Sequence, residues 1–259
     1  MRCYVHLKHN NQRACRLVQA EREVGLLPEV CCGTNRECVP YFSNKMGVEL
    51  FIFLSSQQII MPSQKTVVFV DFDGTLYQRD SLLDFLIFAV GKWRTYISFI
   101  LLFPEYLFSS NKAKVKNKWM KRLLEHKSET ELHQVAQKFI PLLQEKLNAE
   151  VVSRIANYES NKADIVILSA SLDLWIRPFC ESRGYVCIAT PAVYSNQIFS
   201  GFEVERNVKG EEKLKLAKAY CDFSKCETVA FGNEKSDLFI LREVNLGYWV
   251  NGNQINLVS

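Results

Sequence analysis

The sequence lacks the features that would settle its class quickly. No apolar run reaches the roughly 20 residues needed to cross a bilayer. The best run, YISFILLFPEYLF at 96–108, is short and broken by Pro104 and Glu105. The N-terminus is unlike a signal peptide, because VELFIFL at 48–54 comes too late and no typical cleavage site follows. There are nine cysteines, yet none forms a C-x-x-C pair or stands at metal-ligand spacing from a histidine. That argues against a zinc module or a redox dithiol, and the odd count suits reduced thiols in a cytoplasmic protein. His6, His9, His126 and His133 have no partner residues nearby in sequence and are expected at the surface. A net charge of +4 is too mild to imply nucleic acid. No repeat or low-complexity tract occurs.

The first 60 residues differ from the rest. They contain no Asp, show no sustained period, and hold Cys3, Cys15, Cys31, Cys32 and Cys38. Two readings compete: a small Cys-rich accessory module, or a leader translated from an upstream start, disordered and not part of the folded protein. The second is favoured, with Met61 as the natural start. From residue 61 the pattern is that of an α/β protein.

VVFV at 67–70, within a predicted strand over 66–70, is a continuous apolar run that suits burial on both faces. Further strands are predicted at 165–168, 186–189, 228–231 and, as the last, 248–250. AVYSNQIFSGF at 192–202 alternates around a turn and predicts a hairpin. Residues 81–162 have an almost wholly helical pattern. At 112–126, Val115, Trp119, Met120, Leu123 and Leu124 share one face, with lysines and an arginine opposite. A second amphipathic stretch at 132–147 is predicted to be interrupted by Pro141. The fold class is therefore α/β: a Rossmann-like, mostly parallel sheet with helices on both faces and an inserted helical cap. Residues 61–80 and 163–259 form the core, and 81–162 form the cap.

Ligands of such sheets bind beyond the carboxyl ends of the strands. Here those ends carry Asp71-Phe72-Asp73, Ser169-Ala170-Ser171 and Gly232-Asn233. Two carboxylates one residue apart repel each other and shift each other's pKa. That is costly for a plain strand end and useful for chemistry. One can attack phosphorus while the other protonates the leaving oxygen and then deprotonates water. Mg²⁺ would neutralise the phosphate. Ser169 and the next backbone N–H, at Ala170, can hold a phosphoryl oxygen. Lys213, after a Gly turn at a helix start, can neutralise charge between attack and release. Lys209 is the runner-up for that role. Asn233 and Asp237 bring oxygens four positions apart that can complete a Mg²⁺ shell.

DFDGT at 71–75, LSAS at 168–171, GEEK at 210–213 and GNEKSD at 232–237 follow one another in an order that resembles the haloacid dehalogenase superfamily of phosphohydrolases. The resemblance covers residue 65 to the C-terminus. It looks closest to the phosphoserine-phosphatase-like subgroup, and within it to bacterial members of the phosphatidylglycerophosphatase type, which share the DFDGTL…DSL start and the apolar cap. It implies Asp71 as nucleophile and Asp73 as general acid/base. It implies Thr75, Ser169, Ala170 and Lys213 around the phosphate, and Asp71, Asp73, Asn233 and Asp237 around Mg²⁺. Asn233 departs from the family, which often has Asp there. The second Asp of the first motif is lacking in the superfamily's dehalogenases, so its presence favours phosphoryl chemistry.

The expected activity is Mg²⁺-dependent hydrolysis of a phosphomonoester through an aspartyl phosphate on Asp71. A lipid phosphate and a small soluble ester remain alternatives. A non-catalytic module resting on Asn233, or a phosphotransferase or mutase, are the other readings. The cap segment at 93–108 and the six Lys/Arg between Lys112 and Arg122 allow peripheral contact with an anionic membrane, against the plainer reading of a cap core with a solvated basic face. The substrate and the oligomeric state are not fixed by the sequence.

Overall fold

A computed structural model describes residues 64–258. The expectations for residues 1–60, including His6, His9 and the five N-terminal cysteines, lie outside the described residues.

β1 (Lys65–Asp71) leads into five helices: α1 (Ser81–Val90), α2 (Lys92–Phe108), α3 (Lys112–Leu124), α4 (Glu129–Glu145) and α5 (Ala149–Ser160). The chain then returns through β2 (Asp164–Leu172), α6 (Asp173–Arg183), β3 (Val186–Thr190) and a hairpin of β4 (Ala192–Ser195) and β5 (Ile198–Phe202). It ends with α7 (Glu211–Tyr220), β6 (Cys226–Gly232), a short α8 (Leu238–Leu241), β7 (Leu246–Asn251) and β8 (Gln254–Leu257).

The main sheet has the order β3-β2-β1-β6-β7-β8. Its first five strands run parallel and β8 is antiparallel to β7. β8 is an addition to the sequence-predicted set: β7 is not the last strand. Its QINL alternates only weakly and is largely exposed, so it carried little apolar signal.

The apolar run of β1 serves two cores at once. Val68 and Val70 face one, shared with Phe85, Phe139 and Trp175. Val67 and Phe69 face the other, shared with Ala217 and Leu241. A strand buried on both faces needs this continuous pattern. α5 packs on β1 and β2 of the sheet, and α4 packs on α6 and α1. α2 and α3 pack on each other, and α3 also touches β5.

α4 runs unbroken through Pro141, contrary to the predicted interruption. Pro141 and Gln137 are both exposed, so the carbonyl that loses its N–H partner has access to water. A complete capping box at Ser128 and Glu131 starts this helix. α2 likewise continues through Pro104. No helix among the described residues is long and apolar enough to cross a membrane. His126 and His133 are both exposed as expected, and both have partners: Glu125 Oε1 3.7 Å from His126, and the Glu129 carbonyl at 2.9 Å and the stacked Tyr194 ring at His133.

Candidate active site

β1 ends at Asp71 because the next residues fold into a tight loop. Gly74 N donates to the Tyr77 carbonyl at 2.6 Å, and Tyr77 N donates to that of Phe72 at 2.8 Å. Gly74 has φ +77°, and a Cβ there would meet Asn233 Nδ2 at 2.0 Å. Glycine is thus required twice over, by backbone and by space. The loop lays the first motif against the end of β6.

Thr75, fully buried, bridges the two strand ends: its hydroxyl lies 2.9 Å from Asp71 Oδ2 and 3.2 Å from Asn233 Oδ1. Lys213 stands in the first turn of α7, 3 % exposed. Its ammonium donates to Asp71 Oδ1 and, at 2.7 Å, to Asp237 Oδ1. Asp237 is equally buried, and its other oxygen accepts the N–H groups of Asn233 and Glu234 at 3.0 and 2.9 Å. Lys209, the runner-up, is half exposed and pairs with Glu234 at 2.6 Å. Of the two lysines, Lys213 is the one buried against the Asp71 carboxylate.

Asp73 is held separately. Its Oδ1 accepts Ser81 N–H at 2.6 Å, and its Oδ2 accepts the Ser171 hydroxyl. Ser81 Oγ in turn accepts Trp175 Nε1–H at 2.9 Å. Ser171 leaves the β2 ladder at an irregularity between Ser169 and Leu172, and its N–H donates to Ser169 Oγ at 3.0 Å. Ser81 and Ser171 were not among the sequence-predicted site residues. Both lie inside motifs already noted, DSL and LSAS, but only the fold turns them toward Asp73.

Burial pushes the Asp71 carboxyl up to about 7; Lys213 opposes this, and the carboxylates of Asp237 and Asp73 reinforce it. Asp73 is also raised, again chiefly by burial and against its serine hydrogen bonds. Burial pulls Lys213 down, yet Asp71 and Asp237 more than offset that and raise it. Two carboxylates thus share one ammonium in a desolvated place, and a third, Asp73, lies beside them.

These groups face a cleft of about 410 Å³ lined by Asp71, Asp73, Ala170, Ser171 and Lys213 on the sheet side and by Lys112, Lys116 and Met120 on the helical side. Thr75, Ser169 and Asp237 lie buried behind that wall, with Asn233 partly exposed beside them. Among the described residues no three acidic, His or Cys side chains form a ready metal cage. The Lys213 ammonium is paired with both Asp71 and Asp237.

The family model of haloacid dehalogenase-like hydrolases matches residues 68–242, which includes this whole constellation. The chain belongs to the haloacid dehalogenase-like hydrolases. Protein CicA of Caulobacter vibrioides is 28% identical, over 68% of this chain and 86% of the relative. A protein of unknown function from Bordetella pertussis Tohama I has a similar fold, with TM-score 0.57, 16% identity, and coverage of 70% of this chain and 88% of that one. A phosphoserine phosphohydrolase-like protein from Francisella tularensis subsp. tularensis SCHU S4 matches at TM-score 0.51 and 15% identity, over 69% and 82% of the two chains. These two solved structures share with this chain the mostly parallel α/β architecture.

Proposed function

We propose that this hydrolase cleaves phosphomonoesters through an aspartyl phosphate on Asp71. The observation that carries the reading is the different treatment of the two motif carboxylates. Asp71 touches a buried ammonium and a threonine hydroxyl, while Asp73 touches two serines. Asp71 attacks phosphorus; the P–O bond to the leaving group breaks, and the bond to the Asp71 oxygen forms. Asp73, whose carboxyl is raised by burial, gives its proton to the leaving oxygen. It then takes a proton from water, which attacks phosphorus and releases phosphate and free Asp71. Lys213 offsets the charge at Asp71 throughout. The Ala170–Ser171 edge cradles the phosphoryl oxygens. Ser169 backs it: its oxygen accepts the Ser171 N–H, so its own proton is still available to donate.

Mg²⁺ fits the donor set, because Asp71, Asp73 and Asp237 lie together with Lys213 as the one cation bonded to them among the described residues, and a divalent cation would balance the remaining charge. The oxygens of Asp71, Asp73, Asn233 and Asp237 all accept hydrogen bonds, and each would ligate through a remaining lone pair or by exchanging a present partner. When bound, the ion would neutralise the phosphoryl group and orient it for in-line attack.

In this reading α1–α3 act as a cap over the cleft. The outward side of α2 favours a lipid phosphate over a soluble ester. Thr95, Ser98 and Leu102 are buried, while Trp93, Ile97, Ile100, Leu101 and Phe108 are exposed. An exposed apolar stripe beside the basic α3 suits a peripheral position on an anionic membrane.

The test is phosphate release by the full chain with Mg²⁺, on soluble and lipid phosphomonoesters, with Asp71→Asn as control. Release lost in the variant supports the mechanism. No release by folded protein would overturn it and favour a binding module.

A further inference from the structure

A second chamber adjoins the catalytic cleft. It measures about 250 Å³ and lies between α2 and α3, walled by Leu83, Tyr96, Phe99, Val115 and Trp119. Asp80, Leu82, Tyr106 and Lys116 line both spaces, so the two are neighbours. The contrast in character is sharp. The cleft holds the carboxylates and Lys213, and the annex is walled mainly by aliphatic and aromatic side chains. At the junction stand the carboxylate of Asp80, which caps α1 by accepting Leu83 N–H at 3.2 Å, and the Lys116 side chain.

Nothing in the proposed chemistry needs this annex. A compact polar ester would leave it unused, and an apolar hollow beside a cleft is a standard means of selecting ligands. Part of its wall comes from α2, the helix that exposes the apolar stripe. The trio of phosphoryl site, polar junction and apolar annex matches one molecule of matching polarity: a phosphoryl head, a polar linker and a hydrocarbon body. We infer that the annex between α2 and α3 is a hydrocarbon-chain subsite, which makes the substrate an amphiphilic phosphomonoester with an acyl or alkyl chain. This rests on the phosphomonoesterase reading of the cleft for the position of the head group.

Binding to the full-length Asp71→Asn variant tests it without turnover. Calorimetric titration would compare ethyl, butyl, hexyl and octyl phosphate, all kept monomeric. Affinity should rise about two- to fourfold per methylene while the chain fills the annex. Leu83→Trp, which fills the hollow, and Tyr96→Glu, which places a charge at its rim, should each flatten that rise. Thermal melts would verify that both variants fold. A Kd independent of chain length overturns the subsite, as does a chain-length gain that both folded variants retain. Phosphatase activity of the wild type is read separately. Activity with a flat binding series removes the annex alone. A rising series without activity removes the hydrolytic mechanism and leaves the annex.

Discussion

Lys213 Nζ and Asp237 Oδ1 lie 2.7 Å apart, 24 residues distant in sequence, and both side chains are almost wholly buried. The same ammonium donates to Asp71. One cation therefore holds the end of β1 to the loop after β6, and it does so at the point where the chemistry is proposed. A salt bridge this deep is costly to break from one side only.

Lys213→Met should lower stability by about 3–5 kcal/mol, because two desolvated carboxylates are left facing each other. Denaturant unfolding measures it. Adding Asp237→Asn should recover part of the loss, whereas an additive double variant would show that the three groups are not coupled.

The pH dependence of the metal-free protein follows from Asp71. Its carboxyl is raised to about 7 by burial, then by the nearby carboxylates, against the pull of Lys213. A carboxyl raised on folding binds more protons in the native state than in the unfolded one, so stability is greatest below the unfolded value of about 4 and falls as pH rises to about 7. Thermal melts in chelator should show Tm decreasing from pH 5 to 7. Asp71→Asn should reduce that slope. Equal slopes would show that another group titrates.

Ser171 donates its hydroxyl to Asp73, and that bond holds the Asp73 carboxyl down against burial. Ser171→Ala should therefore raise the Asp73 pKa and move the basic limb of kcat/KM to higher pH, with a rate loss of about tenfold or more. Ser171→Thr, which keeps the hydroxyl, should restore the profile. An unmoved limb in the Ala variant would remove Asp73 as the acid.

Asn233 sets its amide oxygen 3.2 Å from the Thr75 hydroxyl, beside the carboxylates. Asn233→Asp should tighten Mg²⁺ binding by adding a charge, and should lower the metal-free Tm by adding a further carboxylate beside Asp71 and Asp237, which already share one ammonium. Melts with and without Mg²⁺ measure both effects. A variant with no change in Mg²⁺ response would place the ion elsewhere.

Trp93 and Phe108 are 78% and 89% exposed on α2. Replacing both with Ser should leave stability within about 0.5 kcal/mol per site. Co-sedimentation with anionic vesicles should drop in the variant, and in wild type it should weaken as salt rises. Equal sedimentation by both proteins would mean that α2 does not face the lipid.

Much of the fold was legible because its signals are local. A strand buried on both faces must be apolar throughout, and VVFV is; a helix with one buried face must show the period seen at Val115, Trp119 and Leu123. The carboxylate pair announced itself by being expensive at a strand end. β8 escaped because an exposed edge strand needs little apolar pattern, and Pro141 misled because a proline on the solvent side of a helix costs less than one on the buried side. For the site, the residue types and order were in the sequence: Asp71, Asp73, Ser169, Lys213, Asn233 and Asp237. The choice of Lys213 over Lys209 required burial, which no spacing rule supplies. Ser81 and Ser171 required the fold as well, since contacts across 8 and 98 residues to one carboxylate depend on where α1 and the irregular end of β2 come to rest. The annex between α2 and α3 lies furthest from what sequence determines. Periodicity marks which side chains turn inward on each helix, but whether two inward faces close tightly or leave a hollow is decided by how the helices pack.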